Sequence, residues 1–337
     1  MDFLLVAVVK IIIILVFISL GVAYLTYLER KVIGHMQVRL GPMRVGWHGL
    51  LQPIADGLKL VIKEDIIPTQ SDKLMFILAP VICFLHAFIV YTFIPFDGPG
   101  GFWGYGGYVS DVNVGLLFIL AVASVGVVGI ILGGWASNSK YPLLGSLRSV
   151  AQLVSYEVAM GLAIMGPILL AGSLSMVEIV KAQEKMGVWF FVPQIVAFVI
   201  YFICGVAETN RAPFDLPEAE SELVGGYHTE YSGFRFAIFF LAEYANMITV
   251  SAIAVTVFLG GWMMPFPSLL KPYLSFVPGF VWFCLKVMFF LFVYLWIRAT
   301  FPRYRFDQLM SIGWKILLPL SIANLVVTSF IILYLKM

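Results

Sequence analysis

Long apolar runs follow one another along the chain, and polar residues gather in the stretches between them. Eight runs, at about 3–28, 76–96, 112–134, 149–172, 192–208, 236–262, 279–299 and 312–335, each reach the length of roughly 17–25 residues that a hydrocarbon core of ~30 Å requires. The pattern predicts an all-α polytopic membrane protein of about eight transmembrane helices, a single membrane domain over 1–337. The first run is long enough to tilt or protrude. It carries Lys10 and is followed by no A-x-A, so it reads as a retained span rather than a signal peptide.

Between the runs, one polar stretch has helical periodicity of its own. Pro53 suits a first helical turn. Ile54, Leu58, Val61, Ile62 and Asp65 follow at helical spacing, with Asp56, Lys59 and Lys63 elsewhere on the wheel. This predicts a short amphipathic helix at the membrane interface. Asp56 is more than a simple surface anchor would need.

Composition narrows the class. Apolar residues make up 61% of 337 and charged residues only 12%, about half the soluble norm, which excludes a water-soluble globular domain. A net charge of +2 without a basic tract argues against nucleic-acid binding. The stretches 29–75, 135–148, 209–235 and 298–315 hold fifteen of the 21 Lys and Arg. The other side has Lys181, Lys185, Lys271 and Lys336, and Lys10 and Lys286 lie within spans. The asymmetry predicts that the first set forms structured cytoplasmic (or matrix) loops, with both termini opposite. Cys83, Cys204 and Cys284 are scattered through apolar runs without a C-x-x-C, and the four histidines lack ligand spacing. No metal or redox centre within this chain is expected. The glycine-rich stretch 98–107 has no G-K-[ST] and reads as an interfacial turn rather than a phosphate loop.

The scarce acids carry the candidate chemistry. Residues 208–230 hold Glu208, Asp215, Glu218, Glu220, Glu222 and Glu230, with Arg211 and His228 beside them. Asp215 and Glu218 match a capping box for a short helix that Gly225–Gly226 would end. Glu220 and Glu222, two apart, cannot share a helix face. Glu157 and Glu243 lie inside spans and Glu29 ends the first. A carboxylate there costs at least ~2.5–3.5 kcal/mol and often marks an ion or proton path. The plainer reading is a packing contact, with Tyr156 or Tyr244 as partner. Lys286 is a weaker candidate, because its stem can snorkel. Topology explains most of the charge of Arg303 and Arg305, while Arg298 stays open as an acid clamp.

The segments YLERK (27–31), QVRLGPMRVGWHGLLQPIADGLKL (37–60), AQLVSYEVAMG (151–161), AETNRAPFDLPEAESELVGGYHTEYSG (207–233), LAEYANM (241–247) and RATFPRYRFDQLM (298–310) together resemble the H-subunit family of the proton-pumping NADH:quinone oxidoreductase, respiratory complex I. The resemblance covers essentially the whole chain. It implies a subunit without catalytic residues of its own, joining the membrane arm to the peripheral arm and forming the quinone entrance. Quinone would be the substrate, with nothing bound covalently. FMN and iron–sulfur clusters would belong to partner subunits. Partners would be the peripheral-arm quinone-site subunits, the adjacent small and antiporter-like membrane subunits and the bilayer, in a bacterial inner (plasma) membrane rather than an organellar one. The implied quinone-tunnel residues are Gln37, Arg39, Asp56, Lys59, Glu208, Arg211, Asp215, Glu220, Glu222 and Arg298. The implied proton-path residues are Glu29, Glu157, Glu218, Glu243 and Lys286. The rival readings are the homologous subunit of a related hydrogenase-type complex, an autonomous ion transporter and a structural anchor. The missing internal repeat weakens the transporter reading.

Overall fold

The computed structural model describes residues 3–101, 106–216, 224–265, 274 and 276–336. Eleven helices are described, joined by turns: α1 Phe3–Met36, α2 Gln52–Ile62, α3 Lys73–Ile89, α4 Gly115–Ala136, α5 Lys140–Ala171, α6 Met176–Met186, α7 Ile195–Glu208, α8 Gly233–Phe258, α9 Gly279–Thr300, α10 Phe306–Ile312 and α11 Leu318–Lys336. A π-helical stretch, Gly313–Leu317, joins α10 to α11.

Among the described residues, seven helices are long and apolar enough to cross a membrane: α1, α3 with the turn after it, α4, α5, α8, α9 and α10–α11 together. An eighth apolar helix, Ile195–Glu208, is shorter. The fifth run forms α7, only 14 residues, because Phe190–Gln194 fold as turns instead of helix. At 1.5 Å per residue α7 is about 21 Å long, short of a full hydrocarbon core. It still links the two ends of the bundle. Phe191 N donates to Phe258 O at one end, and Glu208 enters the polar loops at the other.

Several helices also outrun their apolar segments. The first run stops near 28, yet α1 continues to Met36, so Glu29 lies inside it. The stretch 135–148 is mostly the first turns of α5. Helix α10 occupies part of 298–311. Hydropathy marks where the bilayer ends. Backbone hydrogen bonding and good helix formers carry a helix past that point into water.

Local signals place the other starts and stops. The Asp72 carboxylate accepts from Leu74 N and Met75 N at the head of α3. Ser175 caps α6, and left-handed Gly187 ends it. Helix α2 begins at Gln52 with Pro53 in its first turn and buries no residue. Its exposed Ile54, Leu58, Val61 and Ile62 form the expected apolar side.

Helix α8 is the core of the bundle: 72% of its apolar window is buried, against 11% for α1 and 17% for α10–α11. The outer helices expose Ile12, Val16, Leu20, Val327 and Phe330, as lipid-facing surfaces do. Helix α4 meets α3 through Gly126 and Gly129. A Cβ at these positions would collide with His86 and Cys83 of α3. Small residues at that spacing let two helix backbones approach closely.

The loops expected on one side do meet at one end. Asp72 N donates to Ala136 O (3.2 Å), Ser232 Oγ to Glu64 O (3.3 Å) and Tyr304 N to Pro213 O (3.1 Å). At the opposite end the Lys10 ammonium donates to Gly106 O (3.1 Å) and Tyr108 O (2.9 Å).

Candidate functional site

Between α3, α4, α5, α7 and α8 lies a cavity of about 70 Å3. Glu157, Glu208, Glu243, His86, Asn210 and Asn246 line it among apolar side chains. Helical spacing explains the convergence. Glu243, Asn246, Val250 and Ile253 recur every three or four residues on one face of α8, and Leu153, Glu157 and Met160 do so on α5. One water takes ~30 Å3 of liquid, so the cavity holds a few.

The carboxylates have different partners. Glu157 accepts a hydrogen bond from the Ser124 hydroxyl of α4. Glu208 Oε2 is buried and has no hydrogen-bond partner among the described residues. A polar atom in that position is costly unless water or a proton satisfies it. Glu243 also reaches beyond the cavity, since its Oε1 is 2.7 Å from Arg211 Nε.

Arg211 is the hub of a second array at the loop end. Its Nη1 lies 3.9 Å from Glu29 Oε1, and its guanidinium covers the Tyr244 ring at 4.2 Å. The Tyr244 hydroxyl donates to Glu29 Oε2 (2.8 Å), and Arg298 pairs with Glu29 Oε1. Glu29, Arg211 and Tyr244 are buried. The loop after α7 is held against α5, where the Gln152 side chain donates to Ala207 O (2.7 Å) and Phe214 O (2.8 Å). Asp215 meets Arg303 Nη2 at 3.2 Å, and Phe214 stacks on Tyr304 with ring centres 5.6 Å apart.

Burial pushes the His228 imidazole down to about 4, although the nearby Asp215 carboxylate pulls it up. The folded chain therefore keeps His228 neutral while the unfolded chain, near 6.5, takes the proton first as pH falls. Stability present above about pH 6.5 is lost toward pH 4, by roughly 2 kcal/mol at pH 5. The unfolding temperature of the solubilised enzyme is expected to drop between pH 7 and pH 5 by less in His228→Phe than in the parent. Equal drops in the two would refute this.

The family description "NADH dehydrogenase" matches residues 9–329. The chain belongs to the NADH dehydrogenase family. It is 55% identical over 336 residues to the first of the NADH-quinone oxidoreductase H subunits of Geobacter sulfurreducens, covering 96% of this chain and 94% of that one. It is 55% identical to the second such H subunit of Geobacter metallireducens, covering 96% and 95% of the two chains. It is 56% identical over 309 residues to the NADH-quinone oxidoreductase H subunit of Rhodospirillum rubrum, covering 92% and 88%.

In this family member, the structure brings Glu157, Glu208 and Glu243 together, and Glu29, Arg211 and Arg298 beside them. The Tyr156 hydroxyl donates to Leu309 O, and Tyr244 serves Glu29 rather than Glu243. Asp56 pairs with Arg30 Nη1 (2.5 Å) and accepts from Gln52 (2.9 Å), while Lys59 on the same helix is exposed. Arg39 Nε donates to Gln37 Oε1 at 2.7 Å on an exposed turn. Lys286 lies at the opposite end of the bundle, away from the carboxylates. Its ammonium donates to Leu259 O, Gly261 O and Met263 O (2.7, 3.0 and 2.6 Å) and sits 4.8 Å from the Trp189 ring. Glu218, Glu220 and Glu222, with the Asp215–Glu218 capping box, lie outside the described residues. Among the described residues, no group of three or more His, Cys, Asp or Glu could hold a metal ion.

Sequence reasoning does not single out His86, Asn210, Asn246, Ser124 or Tyr244 as site residues. A signal is present for two of them. His86 and Asn246 are polar side chains inside apolar runs, the same criterion that marks Glu157 and Glu243.

Proposed function

We propose that this chain is the membrane subunit of a proton-translocating NADH:quinone oxidoreductase in a bacterial inner membrane. It forms part of the quinone entrance and couples quinone reduction to proton movement through its carboxylates. The names of the relatives at 55–56% identity support the assembly. The observation that carries the coupling is the double membership of Glu243, which lines the internal cavity and touches Arg211 of the loop-end array.

The proposed quinone side consists of Gln37, Arg39, Asp56 and Lys59, with Glu208, Arg211, Asp215, Glu220, Glu222 and Arg298. The exposed apolar side of α2 offers a surface along which an isoprenoid tail slides from the bilayer toward these charges. NADH oxidation, FMN and iron–sulfur clusters belong to partner subunits. The proposed proton side is Glu29, Glu157, Glu218 and Glu243, with Lys286 as a remote member at the other end.

Electrostatics supplies the coupling. Two unit charges 4 Å apart interact by ~4 kcal/mol at an effective dielectric near 20, about three pK units. A reduced quinone anion arriving near Arg211 competes with Glu243 and Glu29 for its positive charge. Glu243 then holds a proton more tightly and draws it from the cavity water. Oxidation or release of the quinone returns Arg211 to the acids and frees that proton.

A photoreactive quinone analogue tests the quinone side. Added to the natively purified assembly, it is expected to label residues within 37–60 or 207–216, and excess quinone should suppress the labelling. Labelling confined to other subunits, or a chain that purifies alone and transports an ion unaided, would overturn the reading.

A further inference from the structure

The proposed path leaves His86, a titratable side chain of the cavity, unused. His86 of α3 is 93% buried, since only 7% of its surface is accessible, and it lines the same chamber as Glu157, Glu208 and Glu243. Its ring nitrogens have distinct neighbours. Nδ1 is 3.2 Å from Ile82 O, and Nε2 is 3.3 Å from Asn246 Nδ2. A carbonyl oxygen only accepts, so Nδ1 carries the hydrogen, and Nε2 presents its lone pair to the amide. Opposite the ring stands Gly126 of α4, where a Cβ would collide with Nε2. The missing side chain makes room for the imidazole.

The groups facing His86 come from every helix around the chamber. Asn246 and Glu243 lie one turn apart on α8, Glu157 on α5, Glu208 on α7 and Cys83 on its own helix. Helix α4 adds only Gly126, Val127, Ile130 and other uncharged positions. The imidazole is therefore the one cationic candidate among the described residues lining the cavity, set against three acids.

We propose that His86 is a proton-relay residue of the cavity, accepting a proton on Nε2 from the carboxyl groups through cavity water and returning it. In the forward step a carboxylic O–H bond breaks and an Nε2–H bond forms, leaving a carboxylate and an imidazolium. The Asn246 amide turns about its terminal bond, so that Oδ1 accepts from the new N–H in place of Nδ2 donating. The imidazolium then offsets the negative charge left on the acids, and the chamber stores a proton at little electrostatic cost. The inference rests on the proton-path reading above.

The test uses the assembled enzyme in sealed vesicles, with proton translocation followed during NADH-driven quinone reduction. His86→Gln fills similar space and hydrogen bonds but takes no proton at neutral pH. It is expected to slow translocation roughly tenfold, less than the usual ~10²-fold or more for a lost proton-transfer group, because cavity water offers a bypass. It should also alter the pH dependence of the rate, since the ionisable imidazole is gone. Should His86→Gln fail to assemble, Asn246→Leu keeps the imidazole, removes its partner and carries the same expectation. Wild-type rate and pH profile in these variants, with Glu157→Gln and Glu208→Gln slow, would overturn the role of His86 alone. Wild-type behaviour in all four would remove the path reading and this role with it.

Discussion

Glu208→Gln lowers quinone-linked NADH oxidation of the assembled enzyme by about 10²-fold or more, the usual range for losing a positioned proton-transfer group. The reason is the place of its carboxyl in the cavity. Oε2 is buried, without a protein partner among the described residues, and faces a chamber shared with Glu157 and Glu243. Such an oxygen is available to exchange a proton with water. Gln keeps the shape and volume, so packing against α5 and α8 is retained and the unfolding temperature should hardly move. Glu208→Asp, which keeps the acid on a shorter arm, should retain more turnover than Gln. Turnover and proton pumping near the parent level in Glu208→Gln would remove Glu208 from the path.

Arg211→Met has the opposite profile and damages the fold before the chemistry. Arg211 is buried, and its Nε is 2.7 Å from Glu243. Removing one partner of a buried pair leaves an uncompensated charge, at a cost of about 3–5 kcal/mol. Glu29 keeps Arg298 and the Tyr244 hydroxyl, so the loss falls chiefly on Glu243. The yield of assembled complex and its unfolding temperature should both fall. Adding Glu243→Gln to Arg211→Met should recover part of the stability but none of the coupling, because the stranded charge is gone while the link is still missing. Arg211→Lys should rescue poorly, since one ammonium cannot reach two carboxylates and lie flat over Tyr244. A double variant no more stable than Arg211→Met would contradict the pairing.

The apolar runs make the class and most of the helices legible, because a bilayer imposes length and hydropathy on every span. They misjudge helix ends. The run that stops near residue 28 belongs to a helix that ends at Met36, and 135–148 is largely helix as well. The start of α7 is misjudged by three residues: the run from 192 includes Pro193, a local turn signal that hydropathy does not weigh. Glu157 and Glu243 stand out because an acid inside an apolar run is expensive. Their partners do not, since Ser124 and Arg211 come from other helices and loops at distances in sequence that no local spacing reports. His86 escapes a search for metal-ligand spacing, a test suited to ligands and blind to a lone base beside a cavity.

The glycines of α4 have a consequence for how this chamber can vary. Gly126 and Gly129 are empty at the points where His86 and Cys83 protrude. Bulk on one helix is matched by vacancy on the other, and at positions 86 and 126, where only side-chain atoms of His86 stand in the way, the two exchange volume. A smaller residue at 86 tolerates, and for tight packing requires, a side chain at 126. The seam thus behaves as an interchangeable panel, through which the chamber can be made basic, neutral or dry without moving the helices that carry its acids.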